Sequence, residues 1–261
     1  MSAKPRVAVH KFSSCDGCQL AFLNLGDALL AAAELVEFAH FAEAGPVDPQ
    51  ARVDVAFVEG SISTPEERER IRQVRANSRF LVTIGACATA GGIQALRNMH
   101  DAKQWVAGIY ALPEYVSALD KVTPIAAAVK VDLELWGCPV SGSQVLAALS
   151  ALLAGTVPPP DEDKVCMECK RRHTVCVMVA KGVPCMGPVT RTGCGAICPS
   201  FGRDCYACYG PAENPNTASL GRRLEGLGLT RNEVAARFHF INNAAPAFHE
   251  AGIAAKERRR G

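Results

Sequence analysis

The sequence has no long hydrophobic run and no marked excess of charge of either sign. Its 261 residues carry 28 Lys and Arg against 26 Asp and Glu, so the formal net charge is +2, and only 6% of the residues are aromatic. No broad basic stripe with interleaved aromatics is present, which argues against a nucleic-acid-binding protein. No apolar segment approaches the length needed to span a bilayer. We therefore expect neither nucleic acid nor membrane as a partner.

Several signatures of cofactor binding and export are also missing. No G-x-G-x-x-G follows a predicted strand and no P-loop occurs, so any nicotinamide or flavin is expected on another chain. The first apolar segment, Val7–Val9, follows the N-terminus without a charged region, a longer apolar region and a cleavage site, and no twin-arginine pair precedes it. These features predict a cytoplasmic location, the alternative being export on the signal of a partner.

Cysteine, by contrast, is abundant, with twelve in the chain. A reducing compartment disfavours disulfides. Scattered structural cysteines would not occur as C-x-x-C pairs beside glycine and proline, as these do. The spacing therefore favours metal ligation.

The first part of the chain alternates predicted strands and helices. This alternation predicts an α/β fold, a doubly wound parallel sheet with helices on both faces. A capping box, Thr64-Pro-Glu-Glu67, marks one helix start. The predicted strands span residues 6–10, 53–58, 79–84 and 131–136, and the predicted helices span 19–33, 65–77, a segment from about 88, and 141–154.

The composition changes after residue 155. Residues 156–165 are rich in proline and acidic residues and are predicted to form a linker between a first domain, 1–155, and a second, 166–261. The second begins with a Gly- and Pro-rich segment that holds eight cysteines. Such a segment cannot build an apolar core of its own and is expected to be a small irregular domain that needs metal to fold. Its helical tail starts at the capping box Thr230–Glu233 and ends in a basic, solvated stretch, 254–260.

Four cysteines of the first domain follow predicted strands. Loops at the carboxyl ends of parallel strands converge on one crevice, so these residues can meet there although they are distant in sequence. The helix N-termini beside them favour an anionic cluster and are expected to lower the thiol pKa values. Zinc is the alternative, but structural zinc sites usually use two local C-x-x-C pairs. The four are Cys15, Cys18, Cys87 and Cys138.

Glu59 also ends a predicted strand, in Glu59-Gly-Ser. Its loop is expected to face the same crevice. Two interpretations stay open at this point, a solvated loop carboxylate and a residue that acts beside the cluster.

The remaining eight cysteines suffice for two further four-cysteine sites, so three cubane clusters would use all twelve. Local grouping gives one set of Cys166, Cys169, Cys176 and Cys185 and another of Cys194, Cys198, Cys205 and Cys208. An interleaved grouping, as in two-cluster ferredoxins, is the alternative. The basic run Lys170–His173 either compensates cluster charge, meets an acidic partner or is merely a solvated face.

The pattern resembles the small subunit of a [NiFe] hydrogenase. The matching motifs span most of the chain in the family's order: Cys15-Asp-Gly-Cys18, Glu59-Gly-Ser, Gly85-Ala-Cys87, Gly137-Cys138-Pro139, Cys185-Met-Gly-Pro188-Val-Thr190, Cys194 and Cys205-Tyr-Ala-Cys208. The resemblance implies a flavodoxin-like domain holding a proximal [4Fe-4S] cluster through Cys15, Cys18, Cys87 and Cys138. It also implies medial and distal clusters in the second domain and a large-subunit partner with the nickel–iron centre.

Differences from the membrane-bound respiratory members of the family indicate which subgroup the chain resembles. The distal motif begins with Cys166 where they have histidine, and Cys198 offers a fourth medial ligand. The chain is thus most similar to the soluble, delta-type group, in which a flavin- or NAD(P)-binding or further iron–sulfur subunit is expected downstream. The expected function is electron relay in a hydrogenase. The alternatives are a relay in a sulfur reductase or another complex that reuses the module, and a free ferredoxin-like carrier, which would not need the first domain.

Overall fold

A computed structural model describes residues 3–159 and 162–257. The chain divides into two compact units, residues 1–158 and 159–261. Residues 160 and 161 of the expected linker, and 258–260 of the expected basic end, lie outside the described residues.

The first unit is built on one parallel sheet, whose five described strands have the order β2-β1-β3-β4-β5. This flavodoxin-like order confirms the predicted fold class. All four predicted strands are present, the last one shortened, and β2 is an additional edge strand that the sequence pattern did not reveal. The strands are β1 (Arg6–Lys11), β2 (Glu37–Phe41), β3 (Val53–Glu59), β4 (Ser78–Ile84) and β5 (Leu133–Leu135).

Helices cover both faces of this sheet. The segment predicted as one helix, 19–33, forms two helices, because the chain turns at Gly26, whose φ of 56° favours glycine. The segment after Cys87 forms only a short helix, followed by 3₁₀ turns at Ile93–Met99. The helices are α1 (Gly17–Leu23), α2 (Asp27–Leu35), α3 (Pro65–Ala76), α4 (Gly85–Ala90), α5 (Ala102–Ile109) and α6 (Gly142–Leu153).

Two apolar layers bury the sheet. Phe22 of α1 and Leu149 of α6 pack with Phe57 on one face, and Ile71 of α3 packs with Leu81 on the other. Full burial of each such side chain contributes about 1.5–3 kcal/mol. The sheet is therefore anchored on both faces, and its carboxyl edge is held in place for the loops that carry cysteines.

Both predicted capping boxes are confirmed. Glu67 donates its backbone N–H to Thr64 Oγ1 at 3.2 Å, and the Thr64 N–H donates to the Glu67 carboxylate at 3.2 Å. Thr230 and Glu233 form the same reciprocal pair. Each box satisfies backbone donors that the first turn of a helix leaves unpaired.

The described part of the second unit contains six helices and an apolar core. Leu224, Phe238 and Phe248 of the last three helices pack with Val177 and Met186 of the cysteine-rich segment. The cysteine-rich segment thus shares a core with the tail, which the sequence interpretation did not anticipate. The helices are α7 (Val165–Arg171), α8 (Val177–Lys181), α9 (Ile197–Ser200), α10 (Thr217–Gly226), α11 (Arg231–Phe238) and α12 (Pro246–Glu257).

Within residues 3–159 and 162–257, no single helix combines the length and apolar character needed to cross a bilayer. The pair α1 and α2 meets that criterion only when both are counted together, and the two are bent by 84°.

Candidate iron–sulfur sites

The four cysteines of the first unit lie at the carboxyl edge of the sheet. Cys15 and Cys18 flank the start of α1 after β1, Cys87 lies in α4 directly after β4, and Cys138 follows β5. Each of the four is a thiol that forms no disulfide. The sheet therefore gathers four potential ligands from three strand ends, as the sequence predicted.

Glycines shape the space around these sulfur atoms. A Cβ added at Gly85, which has a φ of +86°, would lie 2.3 Å from Cys18 Sγ, and one at Gly92 would lie 2.6 Å from Cys87 Sγ. Both distances are far below van der Waals contact. At these two positions only glycine lets the backbone come so close to the thiols. Such a close approach forms the cradle that a bulky inorganic group with sulfide corners needs.

The thiols of this group interact electrostatically, and burial dominates their ionisation. Burial raises the pKa of Cys87 to about 11, and the charges of Cys138 and Cys15 act in the same direction. Burial likewise raises the pKa of Cys18, with further increases from Glu59, Cys87 and Cys138. The expectation that helix N-termini would lower these pKa values is therefore wrong, because desolvation is the larger effect.

Four neighbouring thiolates in this environment need a positively charged partner to stay ionised. An iron core would supply that charge, because metal binding replaces the thiol protons. The donor set and the glycine cradle together fit an iron–sulfur cluster. No group of three or more His, Cys, Asp or Glu side chains within the described ranges is arranged to hold a single metal ion.

Glu59 is buried beside this group, with 2% of its surface exposed. Its carboxylate accepts hydrogen bonds from the backbone N–H groups of Cys18 at 3.0 Å and Gln19 at 3.1 Å. Burial raises the pKa of Glu59, and these two hydrogen bonds oppose that rise. The interpretation as a solvated loop carboxylate is therefore wrong, and Glu59 fixes the turn that carries Cys18.

Gln94 is a neighbour of the site that the sequence interpretation missed. Its Oε1 lies 3.3 Å from Cys87 Sγ, and its Nε2 donates to the carbonyl oxygen of Ser13 at 3.0 Å. Gln94 thus links the loop of Cys87 to the loop that leads into Cys15. In the sequence, the glycine pair Gly91–Gly92 shortly before Gln94 could have indicated that the backbone comes close to a cysteine here.

In the second unit, one set of four thiols is mutually coupled. The pKa of Cys166 is raised to about 11, first by burial and then by the charges of Cys185, Cys169 and Cys176. A Cβ added at Gly187 would lie 3.5 Å from Cys185 Sγ and 3.6 Å from Cys166 Sγ. The four thiols that local grouping assigned to one site are therefore close enough to influence one another's ionisation, and their assignment to one cluster stays a prediction.

Glu168 holds the loop that carries Cys194, a member of the other set. The Glu168 carboxylate accepts hydrogen bonds from the backbone N–H groups of Gly193 at 2.9 Å, Gly195 at 3.0 Å and Ala196 at 3.0 Å. Its Oε2 lies 3.7 Å from Cys194 Sγ. A residue between Cys166 and Cys169 thus shapes the loop that carries Cys194, which no sequence motif indicated.

These hydrogen bonds keep Glu168 ionised. Burial acts to raise its pKa, but hydrogen bonds from Thr192 and the three backbone amides outweigh burial, and the pKa lies below its ordinary value. Gly195 and Ala196 have positive φ values of 66° and 52°, so successive N–H groups point to one side. Such a concave arrangement of amides is a typical anion-binding nest.

Cys205 connects the two sets. Its backbone N–H donates to Cys185 Sγ at 3.3 Å. Burial raises the pKa of its own thiol, and the charges of Cys185 and Cys208 add to that rise. The two groups of four are therefore close neighbours within the second unit.

The comparisons with known proteins agree with this geometry. The family described as "NADH ubiquinone oxidoreductase, 20 Kd subunit" matches residues 15–152. Sulfhydrogenase 2 subunit delta of Pyrococcus furiosus is 34% identical over 230 residues, which cover 88% of this chain and 96% of that protein. A subunit of the F420-non-reducing hydrogenase of Methanothermobacter thermautotrophicus is 30% identical over 250 residues, covering 81% of this chain and 80% of that protein.

A solved structure shows the same fold. The crystal structure of an NAD+-reducing [NiFe]-hydrogenase in the H2-reduced state contains a chain that is 30% identical, with a TM-score of 0.55, and the match covers 60% of this chain and 94% of that chain. The family match covers more than half of the sequence, and the similarity to the sulfhydrogenase delta subunit extends over nearly all of it. The chain therefore belongs to the NADH ubiquinone oxidoreductase 20 Kd subunit family and, within it, to the hydrogenase small subunits.

Proposed function

We propose that this chain carries three [4Fe-4S] clusters and relays electrons between the nickel–iron centre of a large-subunit partner and a downstream subunit. The downstream subunit binds a flavin or NAD(P), or carries further iron–sulfur clusters. The observation that carries the proposal is the set of four thiols from three strand ends around Gly85 and Gly92. The catalytic centre lies in the partner, so this chain contributes no catalytic residue.

The proposed ligand sets follow the sequence grouping. The proximal set is Cys15, Cys18, Cys87 and Cys138, the medial set is Cys194, Cys198, Cys205 and Cys208, and the distal set is Cys166, Cys169, Cys176 and Cys185. The mutual coupling of Cys166 with the other three distal thiols supports this division over an interleaved one.

The protein's own contribution is to hold the thiols and compensate charge. A cluster, when bound, supplies reversible one-electron transfer whose potential depends on hydrogen bonds and nearby charge. The Val140 N–H approaches Cys18 Sγ at 3.5 Å, and the Cys205 N–H approaches Cys185 Sγ at 3.3 Å. Such N–H groups stabilise the more negative, reduced state of a cluster.

The proposed domain roles correspond to this arrangement. Residues 1–155 would hold the proximal cluster, 156–165 would form the linker, and 166–261 would hold the other two. We also propose a cytoplasmic location.

Metal analysis of the anaerobically purified complex is the first test. We expect about twelve iron atoms in this chain, in addition to the iron of the partner subunits, and cluster spectra typical of four-iron centres. Nickel should copurify on a separate subunit. Zinc in place of iron, or iron for one cluster only, would contradict the proposal.

The order of the clusters is tested by Cys169→Ala. Hydrogen–deuterium exchange needs only the nickel–iron centre, whereas reduction of the natural acceptor needs every cluster. We expect the variant to keep exchange and to lose most acceptor reduction, while Cys87→Ala should damage both. Size-exclusion chromatography shows that each complex has assembled. An assembled Cys169→Ala complex with the wild-type rate of acceptor reduction would show that the proposed order is wrong.

A further inference from the structure

Buried polar side chains fill the connection between α11 and α12, residues 239–245. Asn242 and Asn243 are each 1% exposed, and His239 is 5% exposed. Polar groups at this depth are retained where they make specific hydrogen bonds, because burial without partners is costly. None of the twelve cysteines lies in this connection, so its polar groups serve a purpose other than ligation.

Asn242 reaches from this connection to the turn between Cys205 and Cys208. Its Nδ2 donates a hydrogen bond to the carbonyl oxygen of Ala207 at 2.8 Å, across 35 residues of sequence. Because a carbonyl oxygen can only accept, this contact fixes the orientation of the Asn242 amide. The Oδ1 atom of the same amide is buried and has no hydrogen-bond partner among the residues that the structure describes. The bond to Ala207 is thus the contact that orients this side chain.

Ala207 has a left-handed backbone conformation, with a φ of +60°. The Cβ of alanine makes this conformation unfavourable, so other contacts must hold it. On one side, the Ala207 N–H donates to Cys205 Sγ at 3.4 Å. On the other side, the Ala207 carbonyl oxygen accepts from the Gly210 N–H at 3.0 Å and from Asn242 Nδ2. Of these three partners, Asn242 is the one that comes from the helical tail.

Hydrogen bonds to α12 hold the connection that carries Asn242. His239 Nε2 donates to the carbonyl oxygen of His249 at 2.9 Å, and His249 Nδ1 donates to that of Asn243 at 3.2 Å. A Cβ added at Gly252 would lie 2.1 Å from His239 Nε2, so α12 comes this close only because residue 252 is glycine. The packing of α12 therefore sets the position of Asn242.

We propose that Asn242 is a positioning residue of the medial site, whose amide holds the left-handed turn between Cys205 and Cys208. The inference rests on the proposed function and gives the helical tail a part in building that site. While the turn is held, the Ala207 N–H stays directed at Cys205 Sγ. Such an N–H stabilises the more negative, reduced state of a cluster. Asn242 should therefore affect both the occupancy and the reduction potential of the medial site, although it is not a ligand.

The test uses the anaerobically purified complex and a substitution that removes little besides this hydrogen bond. Asn242→Leu keeps the branched shape of the side chain, deletes the donor and also removes the unpartnered Oδ1, so the packing of the tail should not be weakened. Asn216→Ala is the matched control. Asn216 is an exposed asparagine of the same unit, and its Oδ1 accepts from the Ser219 N–H at 3.0 Å. The control thus removes a hydrogen bond at the start of α10 and none at the cysteine turn.

We expect Asn242→Leu to lower the occupancy of the medial cluster, measured by iron analysis. A redox titration followed by electron paramagnetic resonance should show a lower reduction potential for the medial clusters that are still bound. Loss of one net hydrogen bond shifts a conformational equilibrium about fivefold, here away from the left-handed turn. Asn216→Ala should keep the wild-type occupancy and potential.

A second substitution separates positioning from a merely structural role. Glycine adopts the left-handed conformation without the penalty of a Cβ. The double variant Asn242→Leu/Ala207→Gly should therefore recover much of the wild-type occupancy and potential. If Asn242 only packed the tail, a change at Ala207 would not produce this recovery.

Wild-type occupancy and potential in an assembled Asn242→Leu complex would overturn the proposal, as would an equal effect of Asn216→Ala. A double variant no closer to the wild type than Asn242→Leu would also overturn it. If Asn242→Leu fails to assemble on size-exclusion chromatography, the double variant decides, since recovered assembly supports the proposal and continued failure overturns it. These outcomes leave the proposed function intact. A wild-type complex that lacks a medial four-iron signal would instead show that the proposed function itself is wrong.

Discussion

Gly85 lies where β4 enters α4, and its missing side chain makes room for Cys18. A Cβ at this position would lie 2.3 Å from Cys18 Sγ, whereas ordinary contact begins near 3.4 Å. The variant Gly85→Ala must therefore separate the two atoms by about 1 Å. It must also place alanine at a φ of +86°, which costs a residue with a Cβ about 1–2 kcal/mol.

The displacement matters more than this backbone cost. A constellation of ligands tolerates errors of about 0.5 Å, so a shift of about 1 Å at one of four thiolates is enough to empty or distort the site. We expect the Gly85→Ala complex to lose the proximal cluster, which is about one third of the iron proposed for this chain, and to lose acceptor reduction. Iron analysis and low-temperature electron paramagnetic resonance, on material shown to be assembled by size-exclusion chromatography, measure both effects.

Gly108→Ala is the matched control. Gly108 lies in α5, and a Cβ there would meet nothing within 4 Å. Helix propensity alone then stabilises the variant by up to about 1 kcal/mol, and iron content should not change. If an assembled Gly85→Ala complex kept its full iron and its wild-type acceptor reduction, the close approach of Gly85 to a cluster ligand would not be a requirement of the site.

Two further changes test individual carboxylate and histidine groups. Glu168→Gln removes a charge that three backbone amides bind, and each of these hydrogen bonds loses about 1 kcal/mol of its strength. We expect fewer complexes to hold the medial cluster, and a redox titration should show a raised reduction potential for the clusters that are still bound. An unchanged potential and occupancy would contradict this role of Glu168. Burial, with smaller contributions from His40 and Arg70, lowers the pKa of His10 to about 3, so His10 stays neutral in the fold while the unfolded chain binds a proton below about pH 6.5. The free energy of unfolding should therefore fall by about 1 kcal/mol between pH 6.5 and 5.5 and by about 1.4 kcal/mol per pH unit below that. His10→Asn should flatten this fall in thermal melts of the complex between pH 6.5 and 5.5, and identical pH dependence in both proteins would refute the assignment.

The sheet and the cysteine positions could be predicted from local sequence. Val53–Val58 and Arg79–Ile84 are apolar runs of strand length, and both form strands of the sheet. The capping boxes at Thr64 and Thr230 depend on residues three positions apart, and both are present. Signals of this kind act within one turn or one strand, so the sequence carries them without reference to the rest of the chain.

Strand β2 could not be predicted in the same way. Its sequence, Glu37-Phe-Ala-His-Phe41, has no run of β-branched residues and is not separated from α2 by a turn signal. It becomes a strand because it pairs in parallel with β1, where Arg6 lies opposite Glu37. Strand propensity depends on such neighbours, and only the tertiary structure supplies them.

The chemical environment of the sites was decided by tertiary structure as well. Glu59 and Glu168 are ordinary carboxylates in the sequence, and their roles depend on backbone amides 41 and 25 residues away. The pKa values of Cys18 and Cys87 rise chiefly because of burial, which is a property of the fold. The sequence by itself thus determined which side chains are available as ligands and how they are spaced along the chain, since both are fixed by the covalent structure. Packing decided their solvation and hydrogen bonding, because both depend on residues that only folding brings together.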